Sequence, residues 1–189
     1  MIVYFFQVFV IRSYAQWKKT GQNPFVFSKS ENAHDYIGFV FKIMTVISLS
    51  VIVLFSFFED IYSAFLGPLT YMHLEVLKWT GTGILIASLI WTIVAQYQMS
   101  NSWRIGIDYE EKTTLVRVGI FKLSRNPVFL GVLLIYLGTF LIAPNAITLT
   151  LFVLCYFILQ IQIRLEEEYL ESTHGQDYID YKKKVRRWI

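Results

Sequence analysis

The stretch from Arg125 to Glu168 reads RNPVFLGVLLIYLGTFLIAPNAITLTLFVLCYFILQIQIRLEEE. It holds two apolar runs, Pro127 to Ala143 and Ala146 to Ile163, joined only by Pro144 and Asn145. That spacing predicts a tight helical hairpin. Each run is a little short of the ~20 residues needed to cross a ~30 Å hydrocarbon core as a helix, so tilt or local thinning is expected. Pro127 suits the first turn, where its missing N–H costs nothing, and Asn126 suits the N-cap. The polar residues sit at one end. Arg125 and Asn126 begin the first helix, and Arg164-Leu165-Glu166-Glu167-Glu168 ends the second. Antiparallel helices of similar length bring those ends together, so topology alone gathers an Arg, an Asn and several Glu on one membrane face. Two readings of this cluster are open. Arg125 is a topogenic charge and the Glu run a solvated helix end, or a helix N-terminus with an Arg beside it attracts a carboxylate and the Glu side chains face a polar cavity.

Working outward, two more long apolar stretches appear, Tyr36 to Phe58 and about Leu69 to Tyr97. The 189 residues are 55% hydrophobic and 16% charged, with one cysteine and a net charge of +3. An average soluble domain is roughly 25% charged. The balance excludes a disordered chain, a basic nucleic-acid-binding protein and a disulfide-stapled domain. The lone Cys155 lies mid-span and reads as a core residue. The run Ile2 to Ile11 is too short to cross and lacks a signal-peptide pattern; it reads as a partial span. The fold expected is therefore an all-α integral membrane protein: four transmembrane helices, the last two forming the C-terminal hairpin, plus the short N-terminal partial span and cytoplasmic amphipathic tail helices.

Charge fixes the orientation. Lys and Arg favour cytoplasmic loops. Fifteen of the 17 fall in three segments: Arg12, Lys18, Lys19 and Lys29; Arg104, Lys112, Arg117, Lys122 and Arg125; and Arg164, Lys182, Lys183, Lys184, Arg186 and Arg187. The loops 59–68 and 144–145 hold none. Lys42 falls near the inner end of its span, where its stem snorkels. Residues 1–97 thus form an N-terminal transmembrane part. Residues 98–189 form a part in which polar chemistry crowds the inner face.

The loop 98–126 is long and polar, with Gly106 and Gly119; loops of over ~15 residues are uncommon without a task. Gly175 predicts a helix break after His174, and a basic amphipathic helix from Gln176 follows. Tyr178, Tyr181, Val185 and Trp188 lie on one face of it, set to pack or to lie on the membrane surface. The three histidines, His34, His73 and His174, have no metal-ligand spacing.

The C-terminal part resembles the integral-membrane methyltransferases that include isoprenylcysteine carboxyl methyltransferase and phospholipid N-methyltransferase. The residues that carry this are Asn101-Ser102-Trp103-Arg104, Thr114-Leu115-Val116 with Gly119-Ile120-Phe121, Arg125-Asn126-Pro127 with Phe129 and Gly131, Glu166-Glu167 with Leu170, and Gly175, Tyr178, Tyr181, Val185 and Arg187. The resemblance implies a cytoplasmic-face pocket for S-adenosylmethionine. Thr114, Leu115, Val116, Phe121, Asn126, Pro127, Phe129 and Glu166 would line it, Arg125 and Glu167 would act at the reaction centre, and Gln162 and Gly131 would meet the substrate. That substrate is a lipophilic or lipid-anchored molecule entering sideways from the bilayer, with no metal required.

The match has departures. Phe121 and Phe129 stand where the prenylcysteine enzymes often have Tyr, and Asn126 where they have His. Gln162 stands where they carry an Arg suited to a substrate carboxylate. Prenylcysteine, a phospholipid amine, an isoprenoid phenol and a small thiol all stay open as acceptors. Glu167 is the local candidate for taking a proton from a protic one. Two other classes compete: an NADPH-dependent membrane reductase and a non-enzymatic membrane scaffold.

Overall fold

A computed structural model describes residues 2–21, 33–103 and 114–189. Among these residues the chain is helical, with no named strand and one isolated bridge, Pro68 to Asn145. Lys29, Arg104, Gly106 and Lys112 lie outside them.

The chain opens with α1 (Ile2–Phe5), a π-helical segment (Phe6–Ile11) and α2 (Arg12–Thr20). The backbone stays right-handed helical through both junctions, so the short N-terminal run continues as helix to Thr20. There Gly21, at φ 72°, ends it in a left-handed conformation that suits glycine. Next come α3 (Ala33–Phe57), α4 (Glu59–Phe65), α5 (Glu75–Met99), α6 (Pro127–Ile142), α7 (Ala146–His174) and α8 (Gln176–Lys184). Helices α3, α5 and α7 are long and apolar enough to cross a membrane. Helix α6 is apolar but has 16 residues, about 24 Å of helix. Where the sequence predicts four spans, the described residues hold three helices of crossing length and the shorter apolar α6.

The elements differ from the sequence expectation at two places. Helix α5 begins at Glu75, not near Leu69. Leu69 N–H donates to the Pro144 carbonyl at 2.9 Å, which pins residues 67–69 against the hairpin turn. Helix α8 ends at Lys184, and Val185 is extended (φ −122°, ψ 134°). Val185 and Trp188 therefore do not continue its face. Tyr178 and Tyr181 are 1% and 6% exposed, so that face packs on the protein.

Small residues weld α5 to α6. A Cβ on Gly81 would meet the Gly138 carbonyl at 2.8 Å, and one on Gly138 would meet the Gly81 carbonyl at 2.9 Å. Gly131 faces Thr92 Oγ1, and Ser88 Oγ donates to the Gly131 carbonyl at 2.7 Å. With lipid as the competing apolar solvent, close approach and interhelical hydrogen bonds hold helices together. The hairpin turn follows the expected pattern. Asn145 Oδ1 accepts from the N–H groups of Ile147 and Thr148, while Thr148 Oγ1 accepts from Asn145 N–H. This reciprocal cap satisfies donors at the start of α7. Cys155 is fully buried in the core. The N-terminal helix lies along α5: Tyr4 Oη pairs with Thr92 Oγ1 at 3.0 Å, and Gln96 Nε2 donates to the Val8 carbonyl at 3.0 Å. Its aromatic residues Phe5 and Phe9 thus stand opposite α3.

Candidate functional site

The site lies where α3 begins, α5 ends, α6 begins and α7 emerges, the end at which most of the basic residues collect. Its base is the turn before α6. Gly119, at φ 58°, has no room for a Cβ because Gln98 lies against it, and Gln98 Oε1 accepts from Ile120 N–H at 2.9 Å. A short 3-10 turn (Gly119–Lys122) then buries Phe121. Trp91 Nε1 donates to the Pro127 carbonyl at 2.9 Å, so α5 fixes the first turn of α6. Pro127 takes the first helical position as expected. Asn126 occupies the N-cap, but its side chain does not cap the helix. Instead its Nδ2 donates to the Arg187 carbonyl at 3.0 Å.

Three ions meet beside it. Arg125 Nη2 lies 3.1 Å from Glu167 Oε1, with the two side chains 8% and 7% exposed. Arg187 donates from Nε to Oε1 at 3.0 Å and from Nη2 to Oε2 at 2.7 Å. Glu167 thus holds Arg187 bidentately and Arg125 through one nitrogen. The hydrogen bond to Glu167 raises the Arg187 pKa above its usual value. Arg125 Nε and Nη1 are buried and make no hydrogen bond. A buried donor without a partner costs about 1–3 kcal/mol, so these two N–H groups carry an unmet hydrogen-bonding demand. Tyr181 Oη donates to the Phe121 carbonyl at 2.6 Å, and burial pushes its pKa up to about 12.

A cavity of about 630 Å³ opens from this point, within the ~300–1,000 Å³ of small-molecule sites. One end is polar, walled by Arg125, Asn126, Glu166, Gln162 and His34. The other is an apolar arm between the N-terminal helix and α3, walled by Phe5, Phe9, Phe41, Val46 and Leu49. At the junction His34 Nδ1 lies 3.0 Å from Gln162 Oε1, both residues buried. Since an amide oxygen only accepts, the His34 ring donates from Nδ1.

Of the residues singled out in the sequence, Phe121, Arg125, Asn126, Pro127, Phe129, Gln162 and Glu166 wall this cavity. Glu167 lies behind Arg125 and is not in the wall. Gly131 lies at the α5–α6 contact. Thr114, Leu115 and Val116 run beside the end of α5, where Thr114 Oγ1 pairs with Ser102 Oγ at 2.8 Å. They are not in the cavity wall either. Sequence reasoning did not single out His34 or Arg187 as parts of one site. His34 stands 128 positions from Gln162, and Arg187 carries part of the family resemblance but is given no role in the site by it.

A model of the phospholipid methyltransferase family matches residues 76–177, over half of the chain. The protein-S-isoprenylcysteine O-methyltransferase of Saccharomyces cerevisiae is 35% identical over 77 residues, 40% of this chain and 32% of that enzyme. Protein-S-isoprenylcysteine O-methyltransferase A of Arabidopsis thaliana is 34% identical over 83 residues, 43% of this chain and 42% of that one. An uncharacterised protein of Haemophilus influenzae is 43% identical over 63 residues, its whole length and 33% of this chain. The chain thus spans less than half the length of the two plant and yeast enzymes.

Proposed function

The chain belongs to the phospholipid methyltransferase family, and from that premise we propose that it is an S-adenosylmethionine-dependent methyltransferase acting on a lipophilic acceptor at the cytoplasmic face of a membrane. In this reading α3, α5, α6 and α7 all cross, with α6 accommodated by tilt or thinning. The cytoplasmic side is the basic end, by the preference of Lys and Arg for that side.

The observation that carries the reading is the Arg125 guanidinium, buried with two unpartnered N–H groups at the polar end of a cavity whose other arm is apolar. The residues present fit the donor. Arg125 Nε and Nη1 suit its carboxylate, and Glu166, which makes no ion pair among the described residues, suits its ammonium group. When bound, the donor supplies an electrophilic methyl group on a sulfonium. The chain's own work is alignment and exclusion of water. Arg125, Asn126 and Glu166 hold one partner at the basic end. Phe5, Phe9, Phe41, Val46 and Leu49 line the path of an apolar tail. Glu167 stays behind Arg125 as its counter-ion.

The acceptor's head would lie beside Gln162 and His34. These are an amide and an imidazole, and Lys42 lines the same cavity. A lipid amine, phenol or thiol and a prenylcysteine carboxylate, the acceptor suggested by the names of the yeast and Arabidopsis relatives, are all accommodated by these groups. The test is calorimetric titration of the purified protein in detergent with S-adenosylmethionine, and with NADPH in parallel. Binding of the first alone supports the reading. Binding of NADPH alone makes it a reductase, and binding of neither by a folded sample makes it a non-enzymatic membrane protein. Transfer of labelled methyl to a lipid extract then identifies the acceptor class.

A further inference from the structure

We infer that Arg187, on the extended tail after α8, is a positioning residue that keeps Arg125 available to the cavity by occupying Glu167. The inference rests on the reading of the cavity's polar end as the donor site. The tail is strapped across the turn that leads into α6. Arg125 N–H donates to the Arg186 carbonyl at 3.0 Å. Asn126 Nδ2 and Ser124 Oγ donate to the Arg187 carbonyl at 3.0 and 3.4 Å. The Arg187 side chain then turns onto Glu167 in a two-pronged pair at 3.0 and 2.7 Å.

The geometry is a competition. A guanidinium and a carboxylate prefer two parallel hydrogen bonds. Arg187 has that arrangement with Glu167, and Arg125 has one contact only. The nearby Lys182 is engaged by Glu171 at 3.1 Å. If Arg187 is removed, one Glu167 oxygen loses its partner in a buried setting, and Arg125 is the guanidinium in position to take it. Arg125 would then satisfy both oxygens and commit a second N–H group to Glu167, leaving fewer for a ligand at the cavity wall it lines. Arg187 thus acts on ligand binding through Arg125, without touching the ligand.

The test is titration of S-adenosylmethionine into four proteins: wild type, Arg187→Gln, Arg187→Lys and Arg187→Gln/Glu167→Gln. The inference expects Arg187→Gln to bind about tenfold more weakly, a ~1.4 kcal/mol effect. The double variant should return to within about threefold of wild type, because the competing carboxylate is gone. A role confined to folding gives the opposite order, with the double variant weaker than the single. Either that order or wild-type affinity in Arg187→Gln overturns the inference. Where Arg187→Gln is not recovered folded, Arg187→Lys reads the same point. It keeps the charge but loses the fork, so it should bind about threefold more weakly, and wild-type affinity there overturns the inference equally. Failure of the wild type to bind would instead overturn the donor-site reading.

Discussion

Arg125 Nη2 stands 3.1 Å from Glu167 Oε1, and neither side chain is more than 8% exposed. One residue precedes the first helix of the hairpin and the other lies on the emerging end of the second. The pair therefore couples the position of a cavity-lining cation to the packing of the two helices.

Replacing Arg125 by Ala removes two unpartnered buried donors of a cavity-lining residue and one partner of Glu167. Arg187 still holds Glu167, which limits the loss of stability to about 1–3 kcal/mol. Affinity for S-adenosylmethionine should fall at least ~100-fold, within the range for truncating one partner of a buried charged contact. Arg125→Lys should not rescue it, since an ammonium cannot serve Glu167 and a ligand in the same fork. Calorimetry together with thermal unfolding in detergent separates the two effects. An affinity within tenfold of wild type in Arg125→Ala would sink the assignment.

Glu166 is half-buried in the cavity wall and pairs with no cation among the described residues. Glu166→Gln should change stability by no more than ~0.5 kcal/mol. It should weaken donor binding roughly 10- to 100-fold through loss of a charge-assisted contact. Unchanged affinity would place the ammonium group of the donor elsewhere.

Val46 is 64% exposed where the apolar arm opens between α3 and the N-terminal helix. Val46→Trp should narrow that mouth. The KM for a long-chain acceptor should rise about tenfold, as for other changes of shape in an apolar pocket, while donor affinity stays as in wild type. An equal loss of donor affinity alongside the rise in acceptor KM would argue against a separate acceptor arm.

Gly81 and Gly83 make a controlled pair on one helix. A Cβ at Gly81 meets the Gly138 carbonyl and Leu141 Cβ at 2.8 and 2.9 Å, whereas at Gly83 nothing lies within 4 Å. Gly81→Ala should cost about 1–3 kcal/mol by overpacking. Gly83→Ala should be neutral or stabilising by up to ~1 kcal/mol through helix propensity. Thermal unfolding of the two variants side by side reads the difference.

The hairpin was legible because its signals are local. Pro127 sits where a helix N-terminus lacks an N–H partner anyway, and Asn145 carries the oxygen that caps α7. The convergence of Arg125 with Glu167 also followed from two antiparallel helices of similar length. The extent of α1 and α2 was not legible, because residues 12–20 lose the apolar run while keeping the helix. Asn126 shows a different limit. Its type fits an N-cap, but a backbone carbonyl 61 positions away claims its side chain.

The sequence by itself determined the helical class, the membrane-crossing runs, the basic end and the ring of polar residues at that end. Each depends on hydropathy, charge or spacing along one chain, and these survive without knowledge of packing. Only the tertiary structure decided which members of that ring share a wall. Burial and hydrogen-bond geometry are set by side chains arriving from distant segments. Those contacts put His34 against Gln162 and gave Glu167 to Arg187, leaving Arg125 in the cavity wall with two buried donors unpartnered.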